Sequence, residues 1–114
     1  MQESILTSIK KLLGITADYE HFDADIIMYI NSVFMILMQL GVGPTDGFSI
    51  SDSSAIWSDF LSDATWFEGV KSYVYIKVKL AFDPPQSGTV IASMEKQASE
   101  FEWRCQEEAD FRNG

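Results

Sequence analysis

The stretch that decides the fold is residues 24–44, ADIIMYINSVFMILMQLGVGP. From Ile26 to Leu40 only Asn31, Ser32 and Gln39 interrupt an apolar run. Such a segment crosses a membrane, fills a core, or forms a surface that another subunit covers. As a helix it rises only ~22 Å, short of the ~30 Å hydrocarbon layer of a bilayer. Asp23 and Asp25 precede it, and no Lys or Arg lies nearby to anchor or orient it. No membrane partner is therefore expected. A helix that is apolar on nearly all sides belongs among other protein elements. Asp23 reads as its N-cap, Asp25 sits in the first turn where the helix dipole favours an acid, and Gly41 followed by Gly43-Pro44 stops it.

Working outward, residues 4–13 form a first helix. Ser4 caps it, Ile5, Ile9 and Leu12 or Leu13 share one face, and Gly14 ends it. Residues 42–64 are the least regular part, a long loop rich in Gly, Ser and Asp. A short extended piece at 48–51 and a helical turn near 55–61, capped by Ser53 or Ser54, are expected inside it. Its Phe48, Ile50, Ile56, Trp57 and Phe60 suggest docking, with Trp57 and Phe60 packing locally. The segment YVYIKVKL (73–80) alternates like a strand. Trp66, Val70, Tyr73, Val74 and Lys77 nevertheless keep a 3.6-residue period over 66–82, so a third helix is expected there, ended by Asp83-Pro84-Pro85. A fourth begins near Ser87 or Thr89 and reaches about Asp110, with Ile91, Met94, Ala98, Phe101 and Cys105 forming a heptad-like seam. Trp103 lies off that seam, and the tail DFRNG is expected to fray. The expectation is an all-α protein, a small bundle of about four helices with a long irregular loop between helices two and three, in one domain over 1–114.

Charge is segregated. The formal net charge is -9, and no Lys or Arg occurs between Lys11 and Lys71. That interval carries Asp18, Glu20, Asp23, Asp25, Asp46, Asp52, Asp59, Asp63 and Glu68. A surface that grips nucleic acid needs bases to neutralise phosphates, and half of this chain offers none. Cys105 is the only cysteine, so an intrachain disulfide is excluded and a reducing setting favoured. The start MQESILTSIKK lacks the basic-then-apolar order of a signal peptide.

Catalytic chemistry is thinly represented. His21 stands alone in a linker, without a second histidine or an HExxH setting for zinc. Cys105, on the seam, reads as a small packed hydrophobe. Gly41, Gly43 and Gly47 lack the lysine and the strand-to-helix setting of a phosphate loop. Glu100 with Glu107 or Glu108 could share a helix face, but nothing marks them as an acid–base pair. The residues thus point to a helical protein that is not an enzyme and uses no cofactor or metal. A small acidic helical binding or regulatory module is one such reading.

Four blocks carry a resemblance: ILTSIKKLLGI near the start, FDADIIMYINSVFMILMQLGVGP, VKSYVYIKVKLAFDPP and MEKQASEFEWR. With them the chain resembles the phage head–tail connector family, the head-completion or adaptor proteins of siphophages and prophages. The likeness covers about Ile5 to Glu108, and its most specific block is the helix ending in LAFDPP followed by a long terminal helix. The resemblance implies a subunit of a homo-oligomeric ring, typically dodecameric, beneath the portal protein of the capsid. Such a ring extends the DNA channel and supports the stopper or tail-side protein, while double-stranded DNA passes without specific binding. It implies residence in the virion, with assembly in the host cytoplasm. It also implies that the terminal helix docks on the portal, which makes Phe101, Trp103 and Phe111 partner-interface candidates, although Phe101 sits on the seam. Loops facing the lumen make Asp46 and Asp52 channel-facing candidates. Met28, Met35 and Met38 are where a neighbouring subunit would cover whatever side of the central helix the bundle leaves open.

Overall fold

The computed structural model describes residues 3–61 and 64–113, with side chains over 3–61 and 66–108. Five helices are found among these residues: α1 (Ile5–Leu12), α2 (Asp23–Gln39), α3 (Trp57–Phe60), α4 (Ala64–Phe82) and α5 (Gly88–Asn113). The protein is all-α, as its periodicities indicate. The strand-like 73–80 segment is helix, because its β-branched residues continue the 3.6-residue period of α4. Among the described residues no helix is long and apolar enough to cross a membrane.

Burial follows the spacing of apolar residues. On α2, Ile26, Ile30, Val33, Phe34 and Leu37 are buried, and they meet Ile5, Leu6 and Ile9 of α1 and Val70, Val74 and Val78 of α4. Leu13 packs on this cluster while Leu12 is exposed, which settles the choice left open at the end of α1. Ser4 caps α1, its Oγ accepting from the Thr7 amide at 3.2 Å. α2 is capped differently from expectation. Phe22 holds the N-cap position and Asp23 is the first helical residue.

The carboxylate of Asp23 is used elsewhere. The ammonium of Lys10, only 2 % exposed, lies 2.8 Å from Asp23 Oδ1 and donates to the carbonyls of Ala17 (3.1 Å) and Tyr19 (2.7 Å). Two carbonyl acceptors and the adjacent carboxylate charge offset the burial of a cation, which would otherwise be costly. One side chain of α1 thus fixes the path of the linker into α2.

The stretch from residue 42 to residue 60 is pinned at four places. Asn31 on α2 donates from Nδ2 to the Ile50 carbonyl (2.9 Å) and accepts from the Ile50 amide at Oδ1 (2.7 Å), as a neighbouring strand would. Phe48, Trp57 and Phe60 surround Phe34, with ring centroids 5.2, 6.3 and 4.5 Å away. The Trp57 indole N–H donates to Ser8 Oγ at 2.8 Å, and that hydroxyl donates to the Ile5 carbonyl. The loop also reaches the chain start, since the Ile5 amide donates to Ala55 O at 3.0 Å. The one-turn α3 is capped not by Ser53 or Ser54 but by Asp59, whose Oδ2 accepts from the Ile56 amide at 3.0 Å. Gly43 is required where the chain leaves α2: its φ is +88°, and a Cβ there would overlap the ring of Phe60.

α5 lies chiefly along α4 and leaves α2 to α1, α4 and the loop. Met94, Ala98, Phe101 and Cys105 form the contact seam, as their spacing predicts, while Ile91, the first residue of the expected row, is only half-buried and is not part of the core cluster. Phe101 stacks on Tyr73 (centroids 5.0 Å apart) and crowds Gly69, where a Cβ would come within 2.8 Å of its ring. The Tyr73 hydroxyl donates to Glu102 Oε2 at 2.6 Å. The backbone helix continues to Asn113, past Asp110, where the sequence placed its end.

Two stability measurements check this account. Lys10→Ala is expected to lower the unfolding free energy in urea by roughly 2–3 kcal/mol, since it strands a partly buried carboxylate and two carbonyls. Lys10→Met, which keeps the packed stem, is expected to lose less. Undiminished stability in Lys10→Met would contradict the role given to the ammonium. Gly43→Ala is expected to cost about 3 kcal/mol, from left-handed backbone strain plus displacement of Phe60; an unchanged urea midpoint would overturn it.

Candidate assembly surfaces

The residues that the sequence singled out fall into three places. Met28 and Met35 lie on the side of α2 opposite its buried row and are 55 % and 60 % exposed, with Met38 nearby and also exposed. They form a shallow apolar groove with Ala24, Ile27, Asn31 and Ser32. No charged residue occurs on α2 after Asp25. The structure therefore leaves one long side of its most apolar helix uncovered.

The second place is α5. Phe101 is partly buried in the α4–α5 seam, flanked by Tyr73 and by Trp66, whose ring centroid is 6.0 Å away. Trp103 is on the opposite side of the helix and is 61 % exposed. The side chain of Phe111 lies outside the described residues. Lys96 and Arg104 are also exposed on α5.

The third place is the loop. Asp46 and Asp52 are both exposed, and both sit on a segment held by Asn31 and the Phe34 cluster. Asp52 Oδ1 accepts from the hydroxyl and from the amide of Ser54. These hydrogen bonds, the hydroxyl's foremost, hold the carboxyl below the usual carboxylate range, so Asp52 keeps its charge at mildly acidic pH. Asp63, another acid of this stretch, lies outside the described residues. The lysines that follow are paired locally: Lys71 with Glu3, Lys77 with Glu102 at 4.0 Å and Lys79 with Asp83 at 2.9 Å.

Besides the Lys10–Asp23 pair, Tyr73, Glu102 and Cys105 bring ionisable groups together in the α4–α5 seam. Burial, then the hydrogen bond to Glu102 and its charge, pushes the Tyr73 phenol well above its ordinary range. Burial, reinforced by Glu102, raises the Cys105 thiol to about 11. Both groups are held neutral, so the thiol is a packing element and the phenol a fixed donor. Among the described residues no group of His, Cys, Asp and Glu is placed to hold a metal ion. His21 meets Phe22 edge-on at 4.7 Å and is exposed.

Sequence reasoning missed two positions that organise these surfaces. Asn31 was visible only as an interruption of the apolar run, and Lys10 only as a base near the end of α1. A polar residue breaking an otherwise apolar helix was the available signal for the first, because burial requires it to find partners.

No curated protein and no solved structure matches the chain. One family model does: that of the phage connector protein, over residues 5–111. The match takes in α1, α2, the pinned loop and α4, and nearly all of α5. The protein belongs to the phage connector family, whose structural members reside in the virion and associate with other phage head or tail proteins.

Proposed function

We propose that the chain is the non-enzymatic subunit of a homo-oligomeric ring at the head–tail interface. The ring sits beneath the portal protein, extends the DNA channel and supports the stopper or tail-side protein. The family match over residues 5–111 is the observation that carries this reading. The uncovered Met28–Met35 side of α2 supports it, because an exposed apolar strip on a central helix marks a surface made for another protein.

The charge pattern supports a passive channel. Asp46 and Asp52 face the lumen, held there on a loop with no base of its own. DNA phosphates are repelled by such a wall, so the duplex slides without being gripped. Lys71, Lys77 and Lys79, the nearest bases that follow in sequence, are occupied by Glu3, Glu102 and Asp83. Assembly takes place in the host cytoplasm, on a filled head.

Co-sedimentation with purified portal rings of the same phage, followed by image reconstruction of the complex, tests the reading. The expected outcome is a ring on the portal with Asp46 and Asp52 lining its bore. Absence of binding to the portal and to the tail-side protein would contradict the connector ring. A bore lined by Lys71, Lys77 or Lys79 would overturn the acidic lumen alone.

A further inference from the structure

α5 is the longest helix, yet it adds a single residue to the buried core. Every buried member of the core cluster except Ala98 lies between Ile5 and Val78. Among the described side chains of α5 only Ala98 and Cys105 are buried, while Met94 and Phe101 are half-buried. The core is thus closed by α1, α2, the loop and α4, and α5 lies upon it. The seam is also narrow. Open grooves flank it on both sides, one past Lys77, Leu80 and Glu95, the other past Ser72, Ile76 and Gln97. Water therefore reaches both margins of the α4–α5 contact.

The connection to α4 is equally separate from the core. The Asp83 amide donates to the Lys79 carbonyl and completes α4, and the Ile91 amide donates to the Ser87 carbonyl and begins α5. Between them, Pro84, Pro85 and Gln86 make no hydrogen bond among the described residues. Pro84, Gln86 and Ser87 are exposed. Two prolines, which have no N–H to donate, keep this link extended and prevent α4 and α5 from merging into one helix. What holds α5 in place is local to the seam. Phe101 sits over Gly69 and stacks on Tyr73, and the Tyr73 hydroxyl donates to Glu102.

We propose that α5 is a strap that opens as a unit about residues 83–87 while the core of α1, α2, the loop and α4 stays folded, with Phe101 and the Tyr73–Glu102 hydrogen bond as its latch. Elements with few buried contacts open in this sub-global way. Opening bares an apolar row on each helix: Tyr73 and Ile76 on α4, and Met94, Ala98 and Phe101 on α5. The docking of α5 thereby gates a surface that exists only in the open state. Opening is a property of the single chain and does not depend on the ring reading.

Cys105, buried in the seam, reports the opening. Its alkylation by iodoacetamide is followed without denaturant and at low urea, beside the amide exchange of α2 and the urea unfolding curve. The thiol is expected to react at least about tenfold faster than global unfolding permits, with little dependence on urea, because opening exposes far less surface than unfolding. Phe101→Ala is expected to speed the reaction by about tenfold or more while the α2 amides keep their protection. Ile30→Val, in the core, is expected to lower the urea midpoint and leave the Cys105 rate unchanged. A thiol that reacts only as fast as the whole chain unfolds overturns the proposal. So does an Ile30→Val chain whose thiol reacts faster in step with its lost stability. A Phe101→Ala chain that fails to fold, or whose α2 amides lose protection along with Cys105, overturns it as well, since the core is then not independent of α5. An unchanged rate in Phe101→Ala overturns the latch.

Discussion

The constraint on which the molecule depends is that α2 is apolar on more sides than its own chain can cover. Its buried row of Ile26, Ile30, Val33 and Leu37 takes α1 and α4, and Phe34 takes the aromatic side chains of the loop. With α5 spent on α4, the Met28–Met35 side stays open. In a protein that acts alone this would be an aggregation liability. On the proposed ring reading, the same shortage of cover is what brings copies together.

The other features hold α2 and its surroundings in one arrangement. Lys10 fixes the linker ahead of α2 through two carbonyls and Asp23. Asn31 fixes the loop behind it by offering the Ile50 peptide a strand-like pair of hydrogen bonds. Each is a polar side chain that meets the backbone of an irregular segment, which supplies what a missing β-ladder or helix would have supplied. Rigid placement of the loop is what the proposed acidic channel wall of Asp46 and Asp52 requires. The Phe101–Gly69 approach does the same for α5, setting which side of that helix is seam and which carries Trp103.

Much of this was legible in the sequence. The period of 66–82 overrode its strand-like composition, and the seam Met94, Ala98, Phe101 and Cys105 was readable from spacing because a long helix must bury one row. The docking of Trp57 and Phe60 was readable too, since large aromatics in a polar loop need a core. Harder to read was anything set by tertiary contact. Asp23 looked like an N-cap, yet its carboxylate answers a lysine of another element. Asn31 looked like an interruption, because nothing local names the backbone that its amide meets. The placement of α5 on α4 also escaped, since a seam shows that a helix packs and not on what. For the assembly surfaces, the exposure of Met28, Met35 and Trp103 became visible only once their neighbours were in place.

The central claim is that the open side of α2 is covered when the chain is part of the phage particle. Oxidative footprinting of the methionines, read by mass spectrometry, addresses this directly. Met28 and Met35 are expected to oxidise readily in the isolated chain and to be protected in the assembled particle. Equal oxidation of both residues in the two states would contradict the account.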